Sequence, residues 1–121
     1  MPYDGTAAAV YADQNAEAHS RGRCAEYVRN AIEQGGGITM GRTLLAKDYG
    51  PVLRTAGFYE ASGLPQTGDV AVIQPAPGHP AGHMAIYDGT NWVSDFKQLR
   101  GMYPGPAYRS AQPAYTVFRH N

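Results

Sequence analysis

The chain has one cysteine in 121 residues, so no disulfide can close within it and the fold has to stand on packing. At that length it can, because 121 residues bury a sizeable core as one domain without covalent staples. An excess of either charge is missing too. Ten Lys and Arg balance ten Asp and Glu and no run of either sign occurs, which excludes the footprint of a nucleic-acid binder or an anionic-membrane anchor. A neutral substrate or a local polar groove suits such a surface better. No stretch approaches the roughly eighteen consecutive apolar residues of a membrane span, and residues 1–20 lack the basic start and apolar segment of a signal peptide. Work outside the cytoplasm would need another route of export. Internal repeats and low-complexity tracts are also absent.

What is present is organised around Ser20-Arg21-Gly22-Arg23-Cys24-Ala25-Glu26-Tyr27-Val28-Arg29. From Cys24 onward, Cys24, Tyr27, Val28, Ala31 and Ile32 fall at i, i+3, i+4, i+7 and i+8, the apolar stripe of an amphipathic helix that Gly35-Gly36-Gly37 then ends. A thiol in the first turn of a helix faces unpaired backbone N–H groups and the positive end of the macrodipole, and both favour the nucleophilic thiolate. The same stripe would bury Cys24 as plain packing, however, since cysteine is among the most buried residue types. Cys24 needs a base before it means chemistry. Glu26 is not that base, because at i+2 on a helix it points away.

The rest of the chain reads in order. Asp4-Gly5-Thr6 offers an N-cap for an alanine-rich helix over Ala7 to Ala18, and His19 to Arg23 links it to the Cys24 helix. Arg42 to Asp48 predicts a short helix, and Gly50-Pro51 restarts one that ends at Gly57. The texture changes at the turn-forming Leu64 to Asp69, after which Val70 to Ile73 predicts a strand. Pro75 to Gly82 is a loop; His83 to Tyr87, a turn at Asp88-Gly89-Thr90-Asn91, and Trp92 to Phe96 form a hairpin signal. Leu99 to Pro113 is irregular, the kind of long loop that often binds something, and Tyr115 to Phe118 predicts a closing strand. Helices first and an antiparallel sheet after them make an α+β domain over 1–121. Trp92, Tyr87 and Phe96 are better read as core or hairpin pairs than as a sugar-stacking platform.

A cysteine nucleophile needs a base near in space and far in sequence. Among the four histidines, His120 is next to the last residue, His79 sits among prolines, and His19 is only five residues before Cys24. His83 differs, because it opens a strand of small and apolar residues where a polar ring needs a partner and would be held rigidly. Pro80 and Gly82 rule out the helix that would bring His79 and His83 onto one ion, so neither a metal nor any other cofactor is expected.

Three blocks, Gly22-Arg23-Cys24-Ala25-Glu26-Tyr27-Val28, Gly68-Asp69-Val70-Ala71-Val72 and Gly82-His83-Met84-Ala85-Ile86-Tyr87-Asp88-Gly89, resemble in order and spacing the signature of papain-like cell-wall amidases and peptidases of the NlpC and CHAP types. The Gly-x-Cys-x-x-Tyr-Val form leans toward CHAP; the short distance from His83 to the next polar strand residue leans toward NlpC. The resemblance implies a papain-like fold, with a catalytic Cys24 at a helix N-terminus packed on the C-terminal sheet, His83 as base and a third polar residue on the next strand. It also implies a peptidoglycan stem-peptide substrate, and with no signal peptide in view, a phage lysin or a secretion-delivered antibacterial effector acting in the periplasm or cell wall. An effector of that kind leaves room for a neutralising immunity protein as partner. Two rivals stand beside it. One is the same fold used on a protein, as a deamidase, transglutaminase-like toxin or protease; the other is a binding module in which Cys24 is inert core.

The family's third position is often a second histidine, and here Asp95 falls in its place, with Ser94 and Gln98 as competitors. A carboxylate on the far ring nitrogen would fix the tautomer of His83 and stabilise its imidazolium. Side chains alternate along strands, so the choice depends on loop parity. A three-residue loop at Gly89 to Asn91 sets Asp95 diagonal to His83 on one face, whereas a two-residue loop at Gly89-Thr90 sets His83 opposite Phe96 and turns Asp95 away. The expectation is the odd loop and Asp95.

Overall fold

Asp4 starts the first helix as its turn chemistry predicts. In the computed structural model, which describes residues 2–121, Asp4 Oδ1 accepts the Ala7 N–H at 2.9 Å and α1 runs Gly5–Asn15. It stops short of Ala18 because Glu17 leaves the helix to donate its N–H to the Asp95 carbonyl at 2.7 Å. The second helix, α2, begins at Cys24, runs to Asn30 and widens into a π-type turn over Ala31–Gly35 before the glycines end it. A Cβ on Gly35 would stand 2.7 Å from the Ala7 carbonyl oxygen and 2.9 Å from the Ala8 Cα, so the helices meet at a separation only glycine allows. The helix expected over Arg42 to Asp48 shrinks to a 3-10 turn, Ala46–Asp48, which leads directly into α3, Tyr49–Thr55. Pro51 lies in the first turn of α3, where a missing N–H loses no helical bond.

Six strands follow: β1 Tyr59–Ala61, β2 Val70–Ile73, β3 His83–Tyr87, β4 Trp92–Val93, β5 Lys97–Gln98 and β6 Tyr115–Arg119. They pair antiparallel in the order β1-β6-β2-β3-β4-β5. The architecture is therefore α+β as expected, and the closing strand β6 lies inside the sheet between β1 and β2. Alternation sorts the core. Val70, Val72, Met84 and Ile86 face the helical layer with Val28, Ile32 and Leu53, while Ala71, Ile73, Ala85 and Trp92 pack on the other face with Tyr108. Full burial of a side chain such as Leu53 contributes about 2 kcal/mol. Tyr108 belongs to α4, Pro106–Ala111, a helix lying inside the stretch read as irregular.

Two departures from the predicted hairpin matter for the site. Tyr87 pairs with Trp92, Ile86 with Val93, and Asp88 N–H donates to the Asn91 carbonyl at 2.9 Å, so the loop is the two-residue Gly89-Thr90 and the register is even. Asp88 sets it, its Oδ1 accepting the Thr90 and Asn91 N–H groups at 2.8 and 2.6 Å. The strand expected over Trp92 to Phe96 also breaks after Val93. Ser94 N–H donates to the Phe96 carbonyl at 3.0 Å, and β5 folds back so that Gln98 stands opposite Trp92.

Candidate active site

Cys24 is the first residue of α2 and His83 the first of β3, and both open into one cavity of about 360 Å³. Gly82 makes the entry to β3 possible. Its φ is +71°, and a Cβ there would stand 2.4 Å from the Ile73 carbonyl oxygen and 2.8 Å from the Lys47 Cβ. The neighbouring Ala81 carbonyl accepts the Lys47 N–H at 2.9 Å, which pins the loop before His83 to the 3-10 turn.

The partner of His83 is Gln98. The ring is 7% exposed, and its Nε2 lies 2.8 Å from Gln98 Oε1. Gln98 is itself buried, and its Nε2 donates to the carbonyls of Gly101 and Met102 at 3.1 and 2.8 Å. Two carbonyls can only accept, so they fix which end of the amide is NH₂. Oε1 can only accept, so His83 Nε2 carries the proton and Nδ1 is left with its lone pair. An amide therefore fixes the tautomer without adding charge.

Asp95 does not take the expected place. It makes no hydrogen bond to His83, and its buried Oδ2 accepts the N–H groups of Arg21 and Arg23 at 2.6 and 3.0 Å. Ser94 Oγ donates to its Oδ1 at 3.3 Å. Asp95 thus clamps the link between α1 and α2 immediately before Cys24. Replacing Asp95 by Ala strands two backbone donors, and we expect a loss of about 1.5–3 kcal/mol of folding stability in chemical denaturation. The His83 tautomer, read by ¹⁵N NMR, should be unchanged, whereas a change would place Asp95 on the ring after all.

Burial pushes the Cys24 thiol up from its ordinary range, and the Asp95 carboxylate adds to this, against the pull of the Met84, Ala25 and Cys24 N–H groups. The helix start does favour thiolate as the sequence suggests, but burial outweighs it. His83 shifts the other way. Burial lowers its basicity, His79 adds to that, and Gln98 and Asp95 oppose it. Both shifts favour the uncharged forms, thiol and imidazole.

Tyr108, His79 and Phe96 wall the cavity, with Ser20 at its rim. The Tyr108 ring sits 5.9 Å from the His83 ring and 5.1 Å from that of His79, and burial pushes its hydroxyl up to about 12, so it is a phenol donor at neutral pH. His79, read from sequence as a surface loop residue, is exposed yet part of this wall. Trp92 and Tyr87 pack on each other at 5.1 Å, as read. Tyr108 was missed; Gly105-Pro106, with Pro at the first helical position, was the available signal.

No protein-family model and no curated protein sequence matches the chain. Two solved structures do. A crystal structure of the native type VI effector–immunity complex Tae3–Tai3 from Ralstonia pickettii contains a chain 67% identical over 98% of this chain and 100% of its own, with a TM-score of 0.96. The selenomethionine form of that complex is 69% identical over 93% of this chain and 98% of its own, with a TM-score of 0.91.

Proposed function

Because the chain belongs to the Tae3 family of type VI effectors, we propose that it is an antibacterial cysteine hydrolase of papain-like type, with residues 1–121 as one catalytic domain that cleaves an amide bond in the peptide part of peptidoglycan. One observation carries the chemistry: the line of hydrogen bonds from Gly101 and Met102 through Gln98 to His83, which leaves Nδ1 as the base in the cavity that holds Cys24. The likeness of the Cys24 and His83 blocks to the NlpC and CHAP enzymes supports the same reading. The related structures are complexes with an immunity protein, and we assign this chain a neutralising immunity partner and type VI delivery to the periplasm of a competitor.

In this mechanism His83 Nδ1 takes the thiol proton as Cys24 Sγ attacks the amide carbonyl. The start of α2 has no side-chain cap, so its first N–H groups are free to hold the oxyanion. The imidazolium returns its proton to the departing amine nitrogen, leaving a thioester on Cys24. Water, deprotonated by Nδ1, then releases the carboxylic acid and restores the thiol.

These shifts predict the pH dependence. His83 must be unprotonated to act, and its pKa is lowered from 6.5, so kcat/KM should rise through a midpoint below pH 6.5 and hold its value through neutrality. The same shift makes stability fall with acid. The unfolded chain binds the His83 proton first, so this contribution is complete above pH 6.5 and lost as pH falls through the folded value. A thiolate–imidazolium pair would instead give Cys24 alkylation a plateau in the acid range, and we expect none.

Incubation with purified peptidoglycan and, in parallel, with a panel of proteins tests the function. Soluble peptides released from peptidoglycan, with the proteins unmodified, are the expected result. Intact peptidoglycan beside deamidated or cleaved protein would replace this reading with the toxin alternative.

A further inference from the structure

Cys24 also opens on its other side into a second cavity of about 300 Å³ between α2 and the 3-10 turn, and the two differ in charge. The cavity that holds His83 is lined by no Lys, Arg, Asp or Glu. The second is lined by Arg23, Glu26 and Arg29. Arg23 and Glu26 form an ion pair, with Arg23 Nε donating to Glu26 Oε1 at 3.1 Å, and so largely cancel. Arg29 is the charge left over.

Its guanidinium is held but not neutralised. One terminal nitrogen donates to the hydroxyl of Tyr49 at 3.2 Å, and Tyr49 is wholly buried, which fixes the fork. Nε is buried without an acceptor, the other terminal nitrogen has none, and among the described residues no carboxylate lies within ion-pair distance. A cation near the last turn of a helix can simply complement the dipole. That account fails here, because the helical backbone runs on from Asn30 through Gly35. An arginine that lines a cavity, is held by a tyrosine hydroxyl and makes no ion pair with a carboxylate offers its free donors to an anion that enters there.

We infer that Arg29 forms a carboxylate subsite, so that the enzyme binds its peptide with an acidic residue on the α2 side of Cys24 and an uncharged residue on the α4 side. This rests on the peptidoglycan reading only for the identity of the peptide, whose stem carries free carboxylates beside its amide bonds. Arg29 acts by holding substrate and touches no reacting atom.

The test compares a stem peptide with its carboxylate-amidated form on the full chain, and in parallel the alkylation of Cys24 by iodoacetate and by iodoacetamide. Wild type should favour the free-carboxylate peptide by about 10- to 100-fold in kcat/KM. Arg29→Met should lose that preference, the loss appearing as a raised KM for the free-carboxylate peptide, and Arg29→Lys should keep part of it. The iodoacetate-to-iodoacetamide rate ratio should fall several-fold in Arg29→Met. Equal losses on both peptides, or a rate ratio unchanged by Arg29→Met in a protein of wild-type melting temperature, would overturn the subsite. If wild type cleaves neither peptide, the peptidoglycan reading fails, and the alkylation ratio alone then supports the subsite by falling or overturns it by holding.

Discussion

Replacing Cys24 by Ala should abolish turnover and leave the domain folded. The mechanism gives the sulfur a bond to the substrate, and Cys24 shares its cavity with His83, whose ring Gln98 holds in place. Loss of a nucleophile from a working pair costs roughly 10⁴-fold or more in kcat. The structural cost is small by comparison. Cys24 is partly exposed at the edge of the core, and the helix is anchored further on by the fully buried Val28 and, in the π-type turn, Ala31 and Ile32, so stability should change by about 1 kcal/mol or less. Release of soluble peptides together with thermal unfolding measures both sides. Wild-type activity in the Ala variant would end the cysteine mechanism.

His83→Ala should lose nearly as much, for a separable reason. A general base contributes about 10²- to 10⁴-fold, and because base and nucleophile act as a unit, the double variant with Cys24→Ala should be no worse than Cys24→Ala alone. The variant also leaves Gln98 Oε1 buried without its donor, so a stability loss of about 1–3 kcal/mol is expected and must be measured beside activity. Alkylation by iodoacetamide keeps the two effects apart. With burial holding the thiol protonated at neutral pH, Cys24 without an imidazole reacts only through its small thiolate fraction, and its alkylation should slow markedly. Unchanged alkylation would mean that the two side chains do not share a proton.

The places of Cys24 and His83 in the fold were legible in the sequence. Apolar spacing ahead of three glycines marked the helix that begins at Cys24, and a lone polar ring opening an apolar strand marked His83. The group on the His83 ring was not, because it depended on the loop register and on where the strand breaks. Asp-Gly-Thr-Asn serves a two- or a three-residue loop, and it is the two hydrogen bonds on Asp88 Oδ1 that select the even one. Nor does local sequence show that a run as strand-like as Trp92 to Phe96 folds back at Ser94, which is what carries Gln98 to the ring. The short elements were hidden for a related reason. β1 has three residues and α4 six, too few for a period to emerge, and tertiary packing decides them. Asp95, expected on the His83 ring, instead holds the backbone N–H groups of Arg21 and Arg23 just before Cys24.

The most direct test of the central claim is mass spectrometry of sacculi digested by the wild-type protein and by the Cys24→Ala variant. The account predicts fragments from the wild type in which one amide bond of the peptide has taken up a water to give a free amine and a free carboxylic acid, and none from the variant. Cuts confined to the sugar chains, or the same peptide fragments from both proteins, would contradict it.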